Sequence, residues 1–189
     1  MLFRSEVIHV ERTASQLRRA YRDTLNKMRI ATSAATLPQT FVWMMDDIYF
    51  VRPVSFSDLS HPRHQGQLRQ TYGMNNEYLR VKTSTCEAIA WATFDWATHL
   101  PHVVQKFAWE FIWDKYQLDK QELLWEILYG AEFYELGVHY APFFKRIQGP
   151  DLGGIEAAVI NNSKRGWTSA LRNFLRERFP ERIKEERCP

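Results

Sequence analysis

The segment Thr40-Phe41-Val42-Trp43-Met44-Met45-Asp46-Asp47-Ile48-Tyr49-Phe50-Val51 constrains the fold of this chain more than any other. Its first half is continuously apolar, as in a strand covered on both faces of a parallel sheet, and two acids follow directly. Pro53 ends the run, since proline has no amide hydrogen to give to a ladder. Ahead of it, Val7–Val10 is predicted as a strand. Leu17, Tyr21, Leu25 and Met28 then recur at helical spacing behind a Ser15 cap. That helix frays over 31–35 and is broken at Leu37-Pro38. A strand, a helix and a second buried strand make a βαβ unit, so the expected class is α/β.

Further along, Ser55 to Gly73 is polar and predicted as a loop. A helix is expected over Thr83–Trp96 with Thr83 or Ser84 as cap and Glu87 in its first turn. Two more follow Pro101, over Val103–Tyr116 and Lys120–Leu136, the second ended by Gly137. Gly149–Gly154 is a break, Ile155–Ile160 a last strand, and Trp167–Phe179 a helix stopped by Pro180. The expected organisation is one domain over 1–189. It comprises a βαβ core (1–54), a loop and helical region (55–148), and a last strand with its C-terminal helix (149–189).

Composition narrows the function classes. The formal charge of +3 is concentrated in residues 164–189, which hold eight basic and four acidic side chains, so the remainder is close to neutral. A DNA-binding domain would carry a basic face near its reading element, whereas mixed charges describe a solvated helix face; nucleic acid is therefore not an expected partner. No apolar stretch reaches the ~18 residues of a membrane span, and the N-terminus lacks a signal-peptide core. With only Cys86 and Cys188, a disulfide scaffold or cysteine zinc module is excluded, and a reducing, cytoplasmic location is expected. Five of seven tryptophans (Trp91, Trp96, Trp109, Trp113 and Trp125) fall in the helical region, as core or as an oligomer face; a sugar-stacking platform is the functional alternative. No P-loop, nucleophile elbow or dinucleotide glycine fingerprint is present.

Two clusters could carry chemistry. Asp46 and Asp47 end an apolar strand, where α/β sheets place their ligands. Adjacent buried carboxylates need solvent, arginine or a divalent cation, and Mg²⁺ is typically held by a few carboxylates with water or phosphate oxygens. Equally, one acid could cap the turn while the other pairs with Arg52. His99 and His102, three apart around Pro101, suit acid/base work or metal ligation, or else helix capping and polar core positions. In the loop, Arg63 and His64 could touch a phosphate, as could His61.

Residues 41–54, Phe41 to Val54, resemble the Stealth family of sugar-phosphate transferases, which has a segment F-I-Y-F-N-D-D-x-F-x-x-x-P-V. They are similar too to bacteriophage and bacterial proteins with a Stealth-like or glycosyltransferase-like pattern. Thr98–Lys106 is similar to the family's H-x-P-H/M stretch. Leu128-Tyr129-Gly130 matches an L-Y-G-N element up to Ala131. Asn161-Asn162-Ser163 and Phe179-Pro180 match an N-x-S-D…F-P pattern, with Lys164 in place of the acid. Met45 stands where the family has asparagine, and the arginine expected after the histidine stretch has no clear counterpart.

The resemblance implies a glycosyltransferase-A-like, Rossmann-like sheet with a largely helical C-terminal half and a nucleotide-sugar donor. Asp46 and Asp47 would hold Mg²⁺ or Mn²⁺ against the donor's diphosphate. His99 or His102 would act at the reacting centre beside Asp47, and Arg52, Arg63 and His64 would bind the donor. Members of this fold begin with a strand and helix ahead of the strand seen here as Val7–Val10, for which the chain has no room. The expected function is metal-dependent transfer of a sugar or sugar-phosphate to an unknown acceptor. The alternative is a non-catalytic relative, a phage or host interaction protein assembling through its tryptophan-rich helices, as a homo-oligomer or otherwise.

Overall fold

A computed structural model describes residues 20–45, 48–68, 76–141, 143–149, 152, 155–162 and 168–179. The expected strand at Val7–Val10, the Ser15 cap, Asp46 and Asp47 therefore lie outside the described residues, as does most of the basic segment beyond 179. The chain is mixed α/β and folds as two compact units interleaved in sequence. The first comprises Met1–Val42, His64–Thr98 and Val103–Gly137; the second comprises Trp43–Arg63, His99–His102 and Val138–Pro189.

The first unit is mainly helical. In α1 (Ala20–Ser33), Leu25, Met28 and Thr32 form a buried stripe at helical spacing. Helix α3 (Glu77–Ala88) starts at Asn76, whose Oδ1 accepts from the Leu79 amide at 2.8 Å, and buries Val81, Thr85 and Cys86. Thr83 and Ser84 thus lie inside a helix rather than capping one. Thr83 Oγ1 donates to Leu79 O, one turn back. The expected continuation to Trp96 does not occur, because residues 93–95 are drawn into backbone pairing with 65–68. Gln65 N donates to Asp95 O, Asp95 N to Gly66 O and Leu68 N to Thr93 O, all at 2.8–2.9 Å.

Helix α4 (Lys106–Lys115) buries Trp109, Ile112 and Trp113. It starts three residues later than its spacing predicts, because 102–105 form strand β4 (His102–Gln105), which pairs with β1 (Thr40–Trp43). Helix α5 (Trp125–Phe133) is buried all round its first six residues, so its periodicity is silent. Its start is set from outside the helix, by the Leu124 amide donating to Thr85 Oγ1 at 2.9 Å in the core. Gly130 is required there, since a Cβ on it would come within 2.1 Å of the Trp96 ring.

The second unit is built on a three-stranded sheet in the order β2 (Ile48–Phe50), β7 (Val159–Asn162), β6 (Phe144–Ile147). β7 runs antiparallel to β2 and parallel to β6. The single strand expected over 40–51 is therefore two strands in different sheets, and the first strand of the expected βαβ unit lies outside the described residues. Burial on both faces, expected for the first half of the run, is found in its second half instead; β1 buries only Phe41. Tyr49 and Val51 face a core of Ile147, Ile160, Leu171 and Leu175, the last two from α6 (Ser169–Arg178). Ile48 and Phe50 face another of Leu100, Phe144 and Val159. This alternation explains the unbroken apolar run Ile48–Val51.

The expected loop after Pro53 contains α2 (Phe56–Ser60), closed by a capping box in which Ser55 and Asp58 exchange hydrogen bonds with each other's backbone amides. Residues 63–64 form β3 (Arg63–His64). The Val138 amide, at the start of β5 (Val138–His139), donates to Pro62 O at 3.0 Å. Among the described residues no helix is long and apolar enough to cross a membrane.

Candidate functional site

In the second unit, residues that flank the two expected chemical clusters in sequence share one apolar core. Leu100, flanked by His99 on one side and Pro101-His102 on the other, is buried against Ile48, Phe144 and Val159, and Met45 packs on the same cluster. Met45 and Ile48 are the chain neighbours of Asp46 and Asp47 on either side. Two segments more than fifty residues apart in sequence are thus held together by side chains that take no part in chemistry.

Each histidine has a distinct environment. His99 is held at φ 52°, in the left-handed region, which non-glycine residues seldom adopt although histidine does so more readily than most. Such backbone cost persists where the rest of the fold enforces it, commonly at functional sites. His102 is half-buried overall, with its Nε2 enclosed. Burial, and secondarily the proximity of His99, push its pKa from 6.5 down to about 4. His102 is therefore a neutral imidazole at physiological pH, able to position or ligate but weakly basic.

Asn161, matched in sequence only as part of the N-x-S-D pattern and given no role there, adds a polar residue to this face. It stands opposite Ile48 in the β2–β7 register, so both side chains lie on the sheet face covered by Leu100. It is 3% exposed with its Oδ1 enclosed, a polar group in an otherwise apolar layer. The sequence signal that marks it is the polar pair Asn161-Asn162 ending an apolar strand.

The three expected donor-binding residues separate. Arg63 reaches the same cluster, its guanidinium 3.9 Å from the ring centre of Phe143, which packs on Leu100's core. Its Nη1 donates to Asp58 O at 2.8 Å and His61 O at 2.9 Å, which with the ring contact hold the guanidinium in place. Arg52 is exposed beyond the far end of β2, its Nη2 donating to Ile155 O at 3.3 Å. His64 belongs to the first unit, stacked on Phe94 with ring centres 4.3 Å apart and edge-on to Trp96. Its Nδ1 accepts from the Gly66 amide at 3.1 Å, so it acts there as a structural ring.

Among the described residues, which do not include the two aspartates, no group of three or more His, Cys, Asp or Glu side chains converges as a metal centre. Of the five tryptophans in the helical region, Trp96, Trp109, Trp113 and Trp125 are buried and only Trp91 is exposed. The exposed aromatic side chains nearby are Phe107, Phe111 and Phe133, whose rings meet edge to face.

The chain matches no protein-family model, no curated protein and no solved structure.

Proposed function

We propose that the second unit carries the reacting centre of a metal-assisted transferase acting on nucleotide-linked sugars, with a glycosyltransferase-A-like arrangement around β2. One observation carries this reading: Leu100, inside the His99–His102 stretch, shares a core with Met45 and Ile48, which bracket Asp46 and Asp47. The donor set suits a hard divalent cation, since adjacent carboxylates are its usual protein ligands and the neighbouring His102 is unprotonated at neutral pH. Asp46 and Asp47 would hold Mg²⁺ or Mn²⁺, which when bound neutralises charge growing on a departing diphosphate.

The chain's own groups divide the remaining work. His99, constrained by its backbone and partly open to solvent, is the acid/base residue. His102, neutral and enclosed, positions the turn. Asn161 offers amide hydrogen bonds on the same sheet face. Arg63, immobilised on Phe143, supplies a fixed positive charge toward donor phosphate. Arg52 and His64 have no place in this arrangement. The competing assembly role loses four tryptophans to the helical core, while Trp91 and the edge-to-face cluster of Phe107, Phe111 and Phe133 stay exposed.

Calorimetric titration with Mn²⁺ and uridine diphosphate sugars, followed by an assay of donor turnover, tests the proposal. Metal-dependent binding is expected, abolished by Asp47→Asn. His99→Gln should retain binding while lowering turnover by about a hundredfold or more, the range of one acid/base group. Absence of binding to any nucleotide-sugar in the presence of metal refutes it.

A further inference from the structure

The first unit contains an open pocket of about 430 Å³ lined by Arg22, Arg80, Ser84, Lys120, Gln121 and Glu122. Its lining carries three cations and one anion, an excess of two positive charges. Glu122, with a side chain only 6% exposed, holds both guanidiniums. Its Oε2 is 2.8 Å from Arg80 Nη2 and its Oε1 is 3.8 Å from Arg22 Nε. Arg22 Nη1 is anchored further, donating to Leu118 O at 2.6 Å and Asp119 O at 3.2 Å. Gln121 is tied back through Nε2 to Tyr116 O at 2.6 Å.

The two arginines are therefore fixed before any ligand arrives, so little side-chain entropy is lost on binding. Each guanidinium carries five N–H donors, more than its described contacts use. Ser84 lies one helical turn beyond Arg80 on α3 and presents its hydroxyl on the same side. Lys120 contributes an exposed ammonium, which donates to Gln117 Oε1 at 3.1 Å. Converging cations that a single carboxylate does not balance repel one another, and a bound anion relieves that repulsion. A bare phosphate is small against a 430 Å³ pocket, which is of the size that holds a small organic molecule.

We propose that this pocket binds a phosphorylated small molecule. Its phosphate is taken by Arg80, Lys120 and Ser84 in the field of Arg22, and the organic part fills the remaining volume. The site is independent of Asp46–Asp47 and of any metal.

The test is calorimetric titration of the full chain with inorganic pyrophosphate, a hexose monophosphate and a nucleoside monophosphate. A chelator is present throughout, so that failure of the transferase proposal leaves the result unaffected. Sub-millimolar binding of at least one phosphate ligand is expected, weakening as salt rises. Arg80→Gln and Lys120→Gln should each reduce it by about tenfold, the worth of a charge-assisted hydrogen bond. Both side chains are exposed, and circular dichroism verifies that the variants fold. No binding at about 10 mM of any of the three, or unchanged binding in the double variant, overturns the proposal. So does binding of polynucleotide with none of the small phosphates.

Discussion

Replacing Glu126 by glutamine should flatten the pH dependence of stability of the first unit. Glu126 stands in the first turn of α5 and is 8% exposed. Burial dominates its titration and disfavours the carboxylate. Its own backbone amide partly offsets this, and the charge of Asp95 adds to the penalty. The result is a pKa raised from 4.5 to about 7. Asp95 is itself committed to Lys82, whose Nζ lies 2.5 Å from its Oδ2. Tyr78 and Tyr21, with phenols held above their ordinary range by burial first, face the same buried group and add no cation.

The sign follows from proton binding. Between pH 4.5 and 7 the folded state holds a proton on Glu126 that the unfolded chain has released, so stability falls as pH rises through this window. Each tenfold change in proton affinity is worth ~1.4 kcal/mol, so the full loss is about 3 kcal/mol. Against a total of ~5–15 kcal/mol for a domain, that is readily measured. Urea unfolding at several pH values, wild type beside Glu126→Gln, should show the two curves diverging above pH 4.5. By pH 8 the variant should be the more stable by up to about 3 kcal/mol, less whatever its amide loses in hydrogen bonding. Parallel curves across that range would refute the assignment, because other titrating groups cancel in the difference.

His102 should produce the opposite limb in the second unit. Its pKa is depressed from 6.5 to about 4, so stability is full above pH 6.5 and falls by about 3 kcal/mol as pH drops through 4. His102→Gln should remove that loss, as read by hydrogen exchange of the β7 amides at pH 4.5 and 7. Gly130→Ala should destabilise by about 2 kcal/mol or more in urea unfolding at constant pH. Helix propensity alone favours alanine by ~1 kcal/mol, but the new Cβ would lie 2.1 Å from Trp96 Cγ in a packed core. A neutral or stabilising outcome would show that the Trp96 ring moves aside at little cost.

Elements whose sequence carried its own punctuation were legible. The Leu25–Met28 stripe of α1 and the Leu171–Leu175 face of α6 were both predicted, α6 to within two residues at each end. The capping box Ser55-x-x-Asp58 was equally available in the sequence, but the polar surroundings of α2 hid it. Boundaries were missed where tertiary partners decide them. Residues 93–95 carry helical spacing but are taken by 65–68, and α5 begins where Thr85 meets the Leu124 amide. The run 40–51 looked like one strand because a partly buried strand followed by one buried on both faces leaves the same apolar trace as a single long strand. Nothing local in Met44-Met45 says that β1 belongs with β4 while β2 belongs with β7.

The candidate site was legible in its chemistry and illegible in its placement, for a related reason. Asp46, Asp47, His99 and His102 announce themselves by residue type and spacing. What the structure joins is their apolar chain neighbours Met45, Ile48 and Leu100, and the β2–β7 register decides which side chains share that face. With Ile48 opposite Asn161 and Phe50 opposite Val159, the face under Leu100 receives one buried amide and three apolar side chains. A slip of one residue in β2 would turn Tyr49 and Val51 toward Leu100 and send Ile48 to the α6 side. Apolar substitutions at Ile48, Leu100 or Val159 should therefore disturb the proposed reacting centre as directly as substitutions of its polar groups, although none of the three can take part in a proton transfer.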